Sequence, residues 1–119
     1  MNEHVQHFFD AFRYSVEGFR AAWASEIAFR QEVMLAGVLI PAALLMPVPW
    51  LGRVYLVGAM MLVLIVELLN SGLEAIVDLA SPQKHSLAKR AKDCGSAAVF
   101  ISLSHLGTAW TFALGSLLF

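Results

Sequence analysis

Charge is scarce in this sequence. Only 14% of its 119 residues are Asp, Glu, Lys or Arg. Soluble domains run near a quarter, so an ordinary water-soluble domain is excluded and a membrane protein is expected. Neither sign dominates. The formal net charge is −1, without the basic footprint that nucleic-acid binding needs, so no nucleic-acid partner is expected. Cysteine is nearly absent: Cys94 stands alone, which rules out an intrachain disulfide and leaves it as a small packing residue. No G-x-x-x-x-G-K-[ST] and no G-x-G-x-x-G occurs, so the two common Gly-rich phosphate loops are missing. The opening residues, MNEHVQHFFDAFR, carry an acid at Glu3, no basic n-region and no small-residue cleavage site. They do not read as a signal peptide. Internal repeats and low-complexity segments are likewise missing.

What is present is apolar. Hydrophobic residues make up 59% of the chain and the mean hydropathy is +0.69. The length suits a single domain, residues 1–119. Over about 4–25, Val5, Phe8, Phe9, Phe12, Val16, Phe19 and Trp23 recur at i, i+3, i+4 and i+7, with His7, Asp10, Arg13, Glu17 and Arg20 between them. Large aromatics on one face and charges on the other predict an amphipathic helix lying in the membrane interface. Residues 33–66 are apolar with one charge, Arg53. A span needs about 20 residues, so this run holds two spans if it turns. Pro47, Pro49, Trp50, Gly52 and Arg53 mark the turn. The expected spans are about 31–47, 51–70 and 94–118. A polar loop is expected near 79–90, with Ser81-Pro82 as its stop signal. Gly95, Ser96, Ala97 and Ala98 would let neighbouring helices approach. The predicted fold is all-α.

Basic residues orient it. Arg13, Arg20 and Arg30 precede the first span; Lys84, Lys89, Arg90 and Lys92 lie between the second and third; only Arg53 marks the far side. The positive-inside rule places the N-terminus and the polar loop in the cytoplasm.

The second span carries an unusual stripe. Within LVLIVELLNSGLEAIVD, residues Glu67, Asn70, Ser71, Glu74 and Asp78 fall on one face about 100° wide when read as a helix. A carboxylate at membrane depth costs roughly 2.5–3.5 kcal/mol on insertion scales, which marks the stripe as functional. Glu74 lies two turns beyond Glu67, about 10 Å nearer the cytoplasm. The deeper, drier Glu67 suits a general base. Glu26 and Glu74, at the interface, suit a hard cation such as Mg²⁺, which takes one or two carboxylates and accepts phosphate oxygens. The KRAKD loop brings Lys89, Arg90, Lys92 and Asp93 beside them, a cluster suited to a polyphosphate. Together these features suggest phosphoryl transfer to a lipid hydroxyl. Three spans make a thin bundle that would not easily enclose two carboxylates. Oligomerisation is therefore expected, with the site shared between protomers or walled by them.

Three segments carry a resemblance: FRAAWASEIAFRQE at 19–32, VELLNSGLEAIVD at 66–78 and RAKDCGSAAV at 90–99. They resemble the prokaryotic integral-membrane diacylglycerol kinase family over most of the chain. The resemblance implies a homotrimer, each protomer having a surface helix and three spans. In the bacterial inner membrane it would phosphorylate diacylglycerol with Mg-ATP to give phosphatidic acid. It also implies roles. Glu67 matches the general base, and Glu26 and Glu74 match the metal ligands, which also border the nucleotide. Asn70 matches a supporting residue. Tyr14, Lys92 and Asp93, with the loop Gln83, Lys84 and His85, match nucleotide contacts. Lipid contacts are implied for Arg20, Ala21, Ala22 and Trp23, for Ala28, Phe29, Arg30, Gln31 and Glu32, and for Ser96 and Glu67 itself. The turn residues Leu45, Met46, Pro47 and Val48, with Arg53, align with further lipid contacts. His7 stands where the best-known branch has an arginine. A sister branch phosphorylates undecaprenol, and Gly95-Ser96 looks more like the diacylglycerol branch.

Two other classes compete on the residues alone. Carboxylates on one helix face also mark proton or ion conduits, and polar side chains also act as interhelical glue in purely structural subunits. His105, in the third span, is expected to be a packed residue bonded to Ser102 or to another helix.

Overall fold

The computed structural model describes residues 2–119, which form four helices: α1 (Glu3–Ser25), α2 (Ile27–Leu45), α3 (Trp50–Ala80) and α4 (Ser86–Leu118). The last three are each long and apolar enough to cross a membrane. Together they make a flat body of 52 × 47 × 21 Å. The axis is α3, which packs against α2 on one side and α4 on the other, while α1 touches the bundle lightly.

Small side chains set the packing. Ala36 of α2 and Ala59 of α3 bring their helices together around Met60 and Val63, which are fully buried, and Leu106 of α4 closes the cluster. A second cluster, Ala43, Met46 and Leu56, seals the end near the α2–α3 turn. In lipid the tails are as apolar as Leu, so close van der Waals fit holds such helices together. Tyr55 of α3 and His105 of α4 add a polar tie at 3.3 Å. His105 thus bonds to another helix, and Ser102 turns back to the Val99 carbonyl at 2.8 Å.

Each helix end has a local cause. Asn2 caps α1 by accepting from the His4 amide at 2.8 Å. The chain then breaks for one residue at Glu26, whose extended backbone (φ −120°, ψ 109°) separates α1 from α2. The α2–α3 turn follows Pro47 and Pro49, and Arg53 pins it by donating Nε to the Met46 carbonyl at 2.8 Å. Pro41 lies inside α2 without ending it.

Helix limits and apolar limits do not coincide. Where the first span was expected at 31–47, α2 runs 27–45, starting at the break. The expected loop at 79–90 contracts to 81–85, because α4 begins eight residues before its apolar run. Two bonds make helix out of that polar segment. The His85 ring nitrogen Nδ1 accepts from the Leu87 amide at 3.0 Å, and Lys89 pairs with Asp93 one turn on at 2.6 Å. Of the small-residue run, Gly95 is buried and Ser96, Ala97 and Ala98 are exposed.

Candidate active site

The stripe on α3 faces two different neighbours. On the α1–α2 side, Ser71 donates to Glu26 Oε1 at 3.3 Å across the helix break. On the α4 side, Lys92 meets Asp78 at 2.6 Å. Between them, Asn70 donates its amide to Glu74 Oε1 at 3.3 Å, one turn along the same helix. Glu67 lies deepest, 4% exposed, within electrostatic reach of Glu26 and Glu74.

A second buried acid joins it. Glu32 of α2 is 7% exposed, its Oε2 has no hydrogen-bond partner, and it lies within reach of Glu67. A single protomer therefore encloses two carboxylates. On the stripe itself the protomer buries Glu67 and leaves Glu74 half-buried. Resemblance implies for Glu32 only a lipid contact. Its burial was signalled by spacing, since Phe29, Glu32, Ala36 and Ala43, the buried residues of α2, share one helical face.

Two clefts flank the stripe. One, of about 640 Å³, opens at the α3–α4 turn and is lined by Asp78, Gln83, Lys84, His85, Lys89, Lys92 and Asp93 among others. Its volume is in the range of small-molecule sites. Hydrogen bonding to the partner carboxylates raises the pKa of both exposed lysines, Lys92 through Asp78 and Lys89 through Asp93. Both stay cationic at neutral pH. The other cleft, about 510 Å³, runs between α1 and α3 and is lined by Phe19, Ala21, Ala22, Leu68 and Ala75 together with the hydroxyls of Ser15, Ser25 and Ser71, of which Ser71 belongs to the stripe. One groove is thus charged and the other mainly apolar; Asp78 of the stripe borders the first, Ser71 the second, and Glu67 lines neither.

Comparison with known proteins decides the family. The family model for prokaryotic diacylglycerol kinase matches residues 13–114. The diacylglycerol kinase of Pseudomonas aeruginosa is 50% identical over 103 residues, 86% of this chain and 84% of its own length. That of Escherichia coli K12 is 45% identical over 103 residues, 87% and 84% of the two lengths. That of Haemophilus influenzae is 38% identical over 106 residues, 89% and 90%. The chain belongs to the prokaryotic diacylglycerol kinase family.

The family's implied residues scatter in an informative way. Lys92, Asp93, Gln83, Lys84 and His85, implied as nucleotide contacts, line one cleft together. Tyr14 does not line it; it lies on α1 with the Arg13 guanidinium 5.3 Å from its ring centre. Ala21 and Ala22 line the apolar groove. Arg20, Trp23, Ala28 and Gln31 are exposed around the α1–α2 break, whereas Phe29 is buried and stacks on Phe19 at 6.4 Å. Arg30 is half-buried. In the turn, Met46 is buried, Val48 half-buried, and Leu45 and Pro47 exposed. This turn lies at the opposite end of α3 from the carboxylates, and the structure does not bring the two groups together. Ser96 is exposed on α4, and His7 is exposed on α1.

Glu26 and Glu74 offer two carboxylates to a metal ion. Among the described residues, no three His, Cys, Asp or Glu side chains converge into a cage. That donor set fits Mg²⁺, which keeps most of its waters and binds through one or two carboxylates plus substrate phosphates.

Proposed function

We propose that this protein transfers the γ-phosphate of ATP to the primary hydroxyl of diacylglycerol, giving phosphatidic acid. The observation that carries the reading is Glu67: an acid 4% exposed within a membrane-spanning helix, on the same stripe as Ser71, which borders the apolar groove, and Asp78, which borders the lysine-bearing cleft. Family membership supports the same chemistry. Glu67 takes the proton as the lipid oxygen attacks Pγ. The new O–P bond forms while the bond to the β–γ bridging oxygen breaks, and ADP leaves with that electron pair. A positioned base contributes typically 10²–10⁴-fold.

Lys92, with Lys89 and Lys84 at the rim, offers cations to the polyphosphate. Glu26 and Glu74 would hold Mg²⁺, which when bound neutralises charge on the phosphate oxygens. Ser71 and Asn70 orient those two carboxylates through the bonds described above. The apolar groove between α1 and α3 receives the acyl end of the lipid, with Ser71 marking where its polar end meets the stripe. Phe8, Phe9, Phe12, Phe19 and Trp23, exposed on α1, bury themselves in the interface of the inner membrane. The N-terminus is cytoplasmic, by the distribution of Lys and Arg. The protein works as a homotrimer.

The test is purified protein in detergent with labelled ATP and a mixture of diacylglycerol and undecaprenol. Labelled phosphatidic acid is expected. Preferential labelling of undecaprenol would move the protein to the sister activity, and label in neither lipid would refute the reading.

A further inference from the structure

Where α4 packs on α3, Gly95 faces Asn70. Gly95 is buried, and a Cβ at that position would collide with the Asn70 amide oxygen and stand 3.1 Å from both Asn70 Cγ and Leu73 Cδ2. The amide oxygen is itself buried, with no conventional hydrogen-bond partner. The other end of the same amide donates to Glu74 Oε1. The bare backbone of α4 thus forms the wall that sets which way the Asn70 amide points. That amide in turn holds Glu74.

We propose that Gly95 is a positioning residue for divalent-cation binding, acting through Asn70 on Glu74. The inference rests on the reading of Glu74 as a metal ligand. A methyl group at 95 cannot share space with the amide oxygen, so Asn70 must rotate and its Nδ2 must leave Glu74. A ligand carboxylate freed in this way loses its orientation. Removing an outer partner of a metal ligand typically costs 10–100-fold in affinity.

The experiment measures Mn²⁺ binding alone, by electron paramagnetic resonance of the free ion, on purified protein in detergent without nucleotide. The variants are Gly95→Ala, Asn70→Ala, the double variant and Glu74→Gln. Gly95→Ala and Asn70→Ala are each expected to weaken Mn²⁺ binding about 10-fold or more. The double variant is expected to match Asn70→Ala alone, because the methyl group then has no amide to displace. A packing defect unrelated to the site would instead multiply the two losses, and that result overturns the inference. So does wild-type affinity in Gly95→Ala. If Gly95→Ala does not assemble, Asn70→Ala, which opens space, carries the test, and unchanged affinity there overturns it. Glu74→Gln separates the two levels. Full Mn²⁺ binding in that variant removes the metal reading and this inference with it. Loss of binding there beside wild-type affinity in Gly95→Ala removes the positioning role alone.

Discussion

Glu67 is the base in the proposed reaction, and an isosteric amide tests it. Glu67→Gln keeps the volume in a packed helix and removes only the capacity to take a proton. The variant should fold and lose 10²–10⁴-fold in kcat, read as labelled phosphatidic acid per unit protein; a normal rate would end the assignment. Lys92 gives a second test at this scale. In the free protein its ammonium is held by Asp78 at 2.6 Å, so a nucleotide has to displace that carboxylate. Lys92→Ala should raise the KM for ATP, and Asp78→Asn, which frees the lysine, should lower it. Steady-state titration of ATP at saturating lipid checks both. Glu67, Asn70, Ser71, Glu74 and Asp78 could be grouped from spacing alone, because polar groups stand out in an apolar run and helical period then places them on one face. Their partners could not. Ser71 meets Glu26, and Asp78 meets Lys92, only because α1–α2 and α4 lie in a particular register against α3. That register is decided by packing of Ala36, Ala59 and Gly95, which no local pattern encodes. Glu32 shows the same limit. Resemblance implies only a lipid contact for it, and the structure puts it inside, beside Glu67.

At the scale of the element, the first two turns of α4 matter most. They are polar, and their composition alone looked like loop. They are helical because His85 accepts from the Leu87 amide and Lys89 closes on Asp93. This helical stretch places Lys89, Lys92 and Asp93 at i, i+3 and i+4, on the face that lines the cationic cleft. The cap is therefore tied to the shape of the proposed nucleotide cleft. His85→Ala should cost about 1 kcal/mol of local helix stability, in the range of other N-caps. The start of α4 should fray, and the KM for ATP should rise while kcat at saturation holds. Amide hydrogen exchange over 86–93 and an ATP titration read the two effects, and unchanged protection there would show that the pair with Asp93 suffices. The other boundaries were easier to anticipate. The α2–α3 turn falls at Pro47 and Pro49 because proline and the apolar limits agree there, whereas the break at Glu26 lies in a segment with no proline or glycine to mark it.

The whole molecule raises a different question, since one protomer already buries its own base. Glu26, Glu67 and Glu74 lie within one chain, and Ser71 ties the first of them to α3. Burial thus gives no reason for a shared site. The remaining reason is position. The apolar groove opens between α1 and α3, and the cationic cleft opens at the α3–α4 turn. A nucleotide in one cleft and a lipid in the other approach the stripe from opposite sides of α3. In a homotrimer the nucleotide cleft of one protomer can serve the base of its neighbour. Mixing distinguishes the arrangements. Glu67→Gln lacks the base and Lys92→Ala lacks the phosphate contact, so at ATP well below the raised KM of Lys92→Ala each homo-oligomer should be nearly inactive. If base and lysine serve one site from different chains, co-assembled trimers contain sites with both residues intact. Activity should then return on mixing, to a substantial fraction of the wild-type level. If both residues act within one chain, every site in the mixture lacks one of them and activity stays at the sum of the two variants. Recovery is the expected result. It should depend on exchange of subunits, so mixing after chemical cross-linking of each population should abolish it, and recovery that survived cross-linking would point to contaminating wild-type enzyme.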